Sequence, residues 1–95
     1  MAEAPTSLRL DKFLWFARIA KTRALAQAMA GEGRLRLNGR VVDKTHAIVR
    51  TGDVLGFARH GDVRVLKIEA LPVRRGPPAE ARTLYSELTS EAGQA

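Results

Sequence analysis

The chain has 95 residues, a formal net charge of +6 at pH 7 and no cysteine, so we expect one domain and exclude a disulfide scaffold, thiolate catalysis and cysteine-ligated zinc. Its hydrophobic fraction of 45% is too high for a disordered chain and predicts a packed core. The sequence has neither a run of about 18 apolar residues nor a signal peptide at its N-terminus, which predicts a cytoplasmic protein that does not enter a membrane.

A flexible leader and an amphipathic helix are predicted at the start of the chain. Residues 1–8 form the leader, and the pattern turns helical from Leu8 through Arg18, because apolar residues recur there at three- and four-residue spacing. Trp15 lies at the border of the apolar face and fits either the core or its cover. The residues opposite that face are Arg9, Lys12 and Phe16.

A second helix is predicted from Arg23 to about residue 30. Thr22 has the side chain of an N-cap, and Leu25, Ala26 and Met29 supply an apolar stripe. The glycines at 31 and 33 end the helix, since a glycine can adopt the left-handed conformation of a C-cap.

A β-hairpin follows directly. The alternation of Arg34-Leu35-Arg36-Leu37 leads into Asn38-Gly39 and then Val41-Val42, a strong short-range hairpin signal. A two-residue turn would pair Leu35 with Val42 and Arg36 with Val41. Arg34 and Arg36 then lie together on the face opposite the leucines.

The second half predicts two more strands and a third helix. Strands are predicted over 54–57 and 63–68, after turns at 52–53 and 59–62. A linker over 74–78, rich in arginine, glycine and proline, precedes a helix over about 79–88. The apolar face of that helix would contain Ala81, Leu84, Tyr85 and Leu88.

These elements follow the order α-α-β-β-β-β-α and predict a mixed α+β fold that ends in a C-terminal helix. The domain organisation expected from them is a flexible leader over 1–8, a folded domain over 9–72, and a linker, short C-terminal helix and tail over 73–95. Nothing suggests an obligate oligomer, so we expect a monomer.

No catalytic or metal-binding constellation is present in the sequence. The two histidines, His46 and His60, lie in separate polar, turn-like segments, whereas a metal site needs three or four clustered ligands. The segment 31–33 lacks the Lys-Ser/Thr of a phosphate-binding loop. We therefore predict a protein that is not an enzyme and uses no metal or cofactor.

The basic residues are concentrated in one part of the chain. Residues 9–44 contain nine cations and three anions, which accounts for the whole net charge. A charged face can serve solubility alone, but such surfaces normally mix both signs, so this excess predicts a polyanionic partner. The apolar side of the first helix is needed for the core, which argues against membrane binding. Phe16, beside the basic residues, is a candidate for base stacking.

Several short motifs then follow one another in order: Arg9-Leu10-Asp11-Lys12, Lys21-Thr22-Arg23, Ala26, Gly33, the alternation of Leu35 and Leu37, Asn38-Gly39 and Gly52-Asp53-Val54. Together they resemble the S4 RNA-binding module over about residues 9–58. The resemblance implies an αL-type arrangement of two helices on a small, bent sheet. It also implies RNA contacts from the two-helix face and the hairpin, at Arg9, Lys12, Arg18, Lys21, Thr22, Arg23, Arg34, Arg36 and Asn38. Charge alone adds Arg40 to this set.

Within that family the chain is similar to the small ribosome-associated heat-shock proteins of the fifteen-kilodalton type. The similar segments are Arg9 to Trp15 with Ala17-Arg18, and, downstream, Arg74-Arg75 with Glu80 to Tyr85. The resemblance implies binding of rRNA on the free large ribosomal subunit that carries a stalled nascent chain, during recovery from heat stress. Those proteins carry a long basic tail, whereas this sequence continues in a mildly acidic segment to Ala95.

Other readings remain open from the sequence. The module could serve another RNA, such as a tRNA, peptidyl-tRNA or small-subunit rRNA, or it could bind nucleic acids generally, DNA included. An RNA-modifying enzyme would need a catalytic domain, for which 95 residues leave no room. A chaperone for polypeptides would need an exposed apolar patch, and we expect the apolar residues to be used up in the small core.

Overall fold

A computed structural model describes residues 6–44, 46–59 and 61–88. The predicted α+β class is confirmed within them. The elements in chain order are β1 (Leu8–Arg9), α1 (Leu10–Phe16), α2 (Arg23–Gly31), β2 (Leu35–Leu37), β3 (Arg40–Val42), β4 (Ile48–Val49), β5 (Val54–Arg59), β6 (Asp62–Ile68), α3 (Pro78–Ala81), a 3₁₀ turn (Arg82–Leu84) and β7 (Tyr85–Glu87). The predicted features at residues 1–5, His60 and 89–95 lie outside the described residues.

The first helix is shorter than predicted at both ends. Leu8, assigned to the leader, pairs with Val49 in a two-stranded sheet of β1 and β4, and the Leu10 amide donates to the Ala47 carbonyl at 2.7 Å. Strand pairing therefore takes the residues before Leu10 out of the helix. At the other end Arg18 has a φ of +60°, which a right-handed helix cannot include.

The second helix and the hairpin form as predicted. The Thr22 hydroxyl accepts a hydrogen bond from the Leu25 amide at 3.0 Å, so it caps α2. In the hairpin Leu35 pairs with Val42 and Arg36 with Val41. The turn residues have φ values of +52° for Asn38 and +86° for Gly39, the left-handed pair that a type I′ turn requires.

Five strands form the main antiparallel sheet, in the order β3-β2-β5-β6-β7. β5 pairs with β2 on one side and with β6 on the other, and Gly56 lies opposite both Arg36 and Val65. Both β5 and β6 extend beyond the predicted ranges. Their pairing continues towards the turn that connects them, where Ala58 lies opposite Val63 and Arg59 lies opposite Asp62.

The predicted C-terminal helix is wrong over its second half. Only Pro78–Ala81 is α-helical, and after the 3₁₀ turn Tyr85–Glu87 is a strand at the edge of the sheet. Its backbone pairs with β6, whose hydrogen-bonding groups would otherwise form an open edge. Arg64 forms an ion pair with Glu87 across this edge, and that hydrogen bond raises the pKa of the guanidinium. Ala81 and Leu84 are buried as predicted.

The core lies between α1, α2 and one face of the main sheet. Phe13 and Leu14 from α1 meet Leu35, Leu55 and Leu66 from the strands, and all five side chains are fully buried.

The helices leave the opposite face of the sheet uncovered. The expectation that the core uses up the apolar residues is therefore wrong, since Val41 and Val63 remain 57% and 64% exposed. Alternating side chains of a strand point to opposite faces, and among the described residues no second layer covers this side of the sheet.

Candidate nucleic-acid interface

All eight predicted cations of the candidate site are exposed, and they lie in or next to α1, α2 and the β2–β3 hairpin. These residues are Arg9, Lys12, Arg18, Lys21, Arg23, Arg34, Arg36 and Arg40. Their local structure differs, however, because some of the side chains already bind other parts of the protein. The contacts of each group decide which positive charges can meet an external phosphate.

Lys21, Arg34 and Arg36 lie along two adjoining grooves. The first groove, of about 360 Å³, lies between α2 and β5 and is lined by Lys21, Leu25 and Arg34 among others. The second, of about 470 Å³, is lined by Arg34, Arg36 and the strands around Gly56. Arg34 belongs to both, so the loop before α2 and the hairpin contribute cations to one continuous surface. Arg34 also pairs with Glu32 at 2.8 Å, with both side chains more than half exposed.

Among the residues that the structure describes, six of the eight candidate cations have no ion-pair partner, since only Arg9 and Arg34 are paired. Arg18 and Arg23 contact Gly76 and Trp15 instead, which leaves four side chains without such contacts: Lys12, Lys21, Arg36 and Arg40. An exposed cation without a local carboxylate keeps its full charge for a ligand. These residues come from α1, the segment before α2 and both strands of the hairpin. They are the strongest candidates for phosphate contacts.

Trp15 lies between the basic surface and the C-terminal segment. Its ring centroid is 5.4 Å from the guanidinium carbon of Arg23 and 5.3 Å from that of Arg75, both within cation–π range. Arg75 also donates from Nε to the Trp15 carbonyl at 3.1 Å. Trp15 therefore covers the core and orients Arg23 at the start of α2. Phe16 is partly buried, with its ring tilted against Trp15 at 5.7 Å between centroids.

The side chains of Arg9 and Arg18 each form hydrogen bonds within the protein. Arg9 donates from Nε and Nη2 to the two carboxylate oxygens of Asp11, at 3.1 and 2.8 Å. Asp11 is 5% exposed, so this bidentate pair satisfies a buried charge. Arg18 donates from Nε to the Gly76 carbonyl at 2.6 Å. Together with the bond from Arg75 to Trp15, this contact ties residues 75–76 to the end of α1.

Thr22 and Asn38 also have structural hydrogen bonds. The Thr22 hydroxyl caps α2, as described above. The Asn38 amide group donates to an Asp53 carboxylate oxygen at 3.1 Å, and its oxygen accepts from the Val54 amide at 2.9 Å. These bonds clasp the hairpin turn to the turn that precedes β5. Both residues fix the position of the neighbouring cations.

Arg75 is a member of this region that the sequence prediction did not include. It lies beyond the basic stretch, and only the fold brings it against Trp15. The doublet Arg74-Arg75 was the available signal, but a basic pair in a linker does not reveal which helix it contacts.

The described residues contain neither a cluster of metal ligands nor a membrane-spanning helix. None of their histidine, aspartate and glutamate side chains form a group of three or more suited to a metal ion. None of their helices is long and apolar enough to cross a membrane.

Comparisons with known proteins place this surface in a family context. Residues 8–55 match the S4 domain family. The chain is 40% identical over 88 residues to Heat shock protein 15 of Escherichia coli, covering 92% of this chain and 65% of that protein. It is 34% identical over 86 residues to the RQC P-site tRNA stabilizing factor of Listeria innocua, covering 90% of this chain and 91% of that protein.

A solved structure of Vibrio cholerae Heat Shock Protein 15 superposes with a TM-score of 0.80 at 35% identity, over 87% of this chain and 83% of that one. That structure is trimeric, so the expectation of a monomer is not supported. The S4 match contains all eleven residues predicted for the interface, whereas Arg75 lies outside it.

Proposed function

The chain belongs to the S4-domain family, among the relatives of heat shock protein 15, and from this we propose that it is a non-enzymatic protein that binds structured ribosomal RNA. The observation that carries the proposal is the continuous exposed surface of Lys21, Arg34 and Arg36 along two adjoining grooves. A run of cations from separate elements matches a folded RNA backbone, in which phosphates are brought close together.

Within this surface we assign two kinds of role. Phosphate contacts fall to the exposed cations that are hydrogen-bonded neither to buried Asp11 nor to a backbone carbonyl: Lys12, Lys21, Arg23, Arg34, Arg36 and Arg40. Arginine suits this task because its planar fork binds a phosphate or a guanine edge in two places. Positioning falls to the residues already bonded within the fold: Arg9, Arg18, Thr22 and Asn38. Phe16 is the candidate for contact with an unpaired base.

We further propose that the target is the large ribosomal subunit with a peptidyl-tRNA and a stalled nascent chain. The relatives support this choice, because one is named for stabilising the P-site tRNA and others are named as heat shock proteins. The tRNA then supplies a second RNA backbone next to rRNA. The proposed setting is the cytoplasm, where such subunits occur.

Co-sedimentation tests this proposal directly. The purified chain is mixed with empty large subunits, with large subunits carrying peptidyl-tRNA, and with small subunits, and the bound fraction is measured in each pellet. We expect the strongest retention on subunits that carry peptidyl-tRNA and loss of retention in a Lys21→Glu/Arg36→Glu variant. Equal binding to all three particles would reject the specific target. Binding to none of them would reject the function.

A further inference from the structure

The first groove has an apolar interior as well as its two cations. Leu25 and Met29 lie four residues apart on α2, and therefore on one face of the helix. They line the groove together with Phe57 and Ala58 of β5 and with Ile19. Met29 and Phe57 are nearly buried, at 8% and 3% exposure, whereas Leu25 is 37% exposed. The recess between the helix and the strand therefore opens to solvent beside Leu25.

Lys21 and Arg34 border this apolar interior. Both side chains line the same groove, and both residues are exposed. Lys21 has no ion-pair partner among the described residues, and Arg34 pairs with exposed Glu32 at 2.8 Å. Exposed pairs of this kind contribute little to stability, so a phosphate can replace the carboxylate. The apolar recess thus lies beside two positive charges that are available to an anion.

We propose that the first groove holds one unpaired base of the bound RNA, with the phosphates that flank this nucleotide at Lys21 and Arg34. The inference rests on the proposed function and adds to it a preference for a bulged or looped nucleotide. A nucleotide suits the groove because it joins a flat base with apolar faces to a backbone that is negatively charged on both sides. The base is a different one from any that contacts Phe16, which lies on α1 and does not line the groove.

The size of the groove and its apolar part are not explained by paired RNA. Its volume of about 360 Å³ lies within the range of pockets that bind small organic molecules, about 300–1,000 Å³. A double helix presents its phosphates, sugars and groove edges and keeps its bases stacked inside. Such a helix could meet Lys21 and Arg34 but would leave the side chain of Leu25 in water. An unpaired base covers Leu25 and uses both cations at once.

A protein side chain matches the groove less well than a base. An aliphatic or aromatic side chain would fill the apolar interior, but the peptide backbone that carries it brings no charge to Lys21 and Arg34. The adjoining groove adds Arg36, so the positive charge continues beyond the recess. A sugar–phosphate chain running out of the groove would meet this charge.

Leu25 allows the apolar contact to be changed without changing any charge. Leu25→Ala removes most of the contact with a base and keeps a strong helix former on α2. Leu25→Met retains an apolar side chain of similar size and is the conservative variant. Leu88→Ala is the matched control, because Leu88 is 48% exposed and lines neither groove.

The experiment compares three RNA hairpins that share one stem: a fully paired hairpin, one with a single bulged adenosine, and one whose bulged nucleotide lacks its base. Fluorescence anisotropy measures their affinity for the full chain. We expect the bulged hairpin to bind at least about fivefold more tightly than the abasic one. Leu25→Ala should remove most of this difference, whereas Leu25→Met and Leu88→Ala should keep it. All variants should bind the paired hairpin like the parent, because Lys21 and Arg34 are unchanged.

Met29 gives a direct readout of the position of the base. It is one of two methionines in the chain, so the NMR signal of its side-chain methyl group is readily distinguished. A base inserted beside Met29 should shift this signal through its ring current. The abasic hairpin should leave the signal close to its position with the paired hairpin.

Equal affinity of the parent for the bulged and abasic hairpins would overturn the inference. Continued binding of large-subunit rRNA would then leave the proposed function intact. A preference that persists in Leu25→Ala and disappears in Phe16→Ala would also overturn the inference, because it would place the unpaired base on Phe16. Failure to bind large-subunit rRNA at all would reject the proposed function, and the inference with it.

Discussion

At the scale of single residues, the basic side chains divide by what they already bind. Arg9 neutralises buried Asp11 and Arg18 holds a backbone carbonyl, while Arg36 has no ion-pair partner among the described residues. Sequence reasoning found these residues because charge is visible in a sequence. It could not rank them, because the Gly76 carbonyl that binds Arg18 is 58 residues distant along the chain and only the fold brings the two together.

Arg36→Glu tests the free cations. The substitution removes one phosphate contact and adds a repulsive charge, so RNA affinity should fall by about tenfold or more at 0.1 M salt, measured by filter binding. The melting temperature should stay within experimental error of the parent, because Arg36 is exposed on the sheet. Arg82→Glu is the control, since it makes the same charge change at an exposed position outside the basic surface. Equal loss of affinity in both variants would show that only net charge matters.

Asn38 gives the opposite expectation. Asn38→Ala removes two side-chain hydrogen bonds and leaves a Cβ residue at a φ of +52°, so the free energy of unfolding should fall by about 2–3 kcal/mol. Asn38→Gly also loses the bonds but relieves the strain, and its loss should be smaller. Urea unfolding measures both. A normal stability in Asn38→Ala together with a large loss of RNA affinity would make Asn38 a direct RNA contact.

At the scale of elements, local signals predicted the parts that form locally. The cap at Thr22 and the Asn38-Gly39 turn define α2 and the hairpin through residues close in sequence. The strand β7 was not predicted, because the apolar residues over 79–88 have helical spacing. In the structure the last of these residues pair with β6 instead of continuing the helix. Its ion pair between Arg64 and Glu87 raises the pKa of Arg64. The stability that this raised pKa contributes is fully present at neutral pH and is lost as the pH rises through the raised pKa.

The segment at residues 75–76 should stabilise α1. Arg75→Ala removes the hydrogen bond to the Trp15 carbonyl and the cation–π contact, so unfolding free energy should fall by about 1–2 kcal/mol. Trp15 is the single tryptophan, and its emission should shift to the red as the ring gains solvent contact. Arg74→Ala is the matched control, because among the described residues Arg74 pairs only with exposed Glu80 at 3.3 Å and such pairs contribute little. The same red shift in both variants would contradict this role.

At the scale of the whole molecule, the cations that give the net charge of +6 lie on one surface, in or next to α1, α2 and the hairpin. The helices cover one face of the main sheet and their cations lie beside those of the hairpin, whereas Arg36 and the exposed Val41 and Val63 lie on the opposite face. Composition and pattern predicted the polyanion partner and the α+β class. The uncovered face could not be predicted, because alternation shows that a strand has two faces and does not show whether a second layer covers the other one.

The salt dependence of RNA binding tests the central claim most directly. If four to six phosphates are neutralised by the surface from Lys12 to Arg40, a plot of log affinity for large-subunit rRNA against log salt should be linear, with a slope between about −3 and −5. In Arg36→Glu the slope should become shallower by about one unit or more. A flat response, or a slope unchanged by that substitution, would contradict the account.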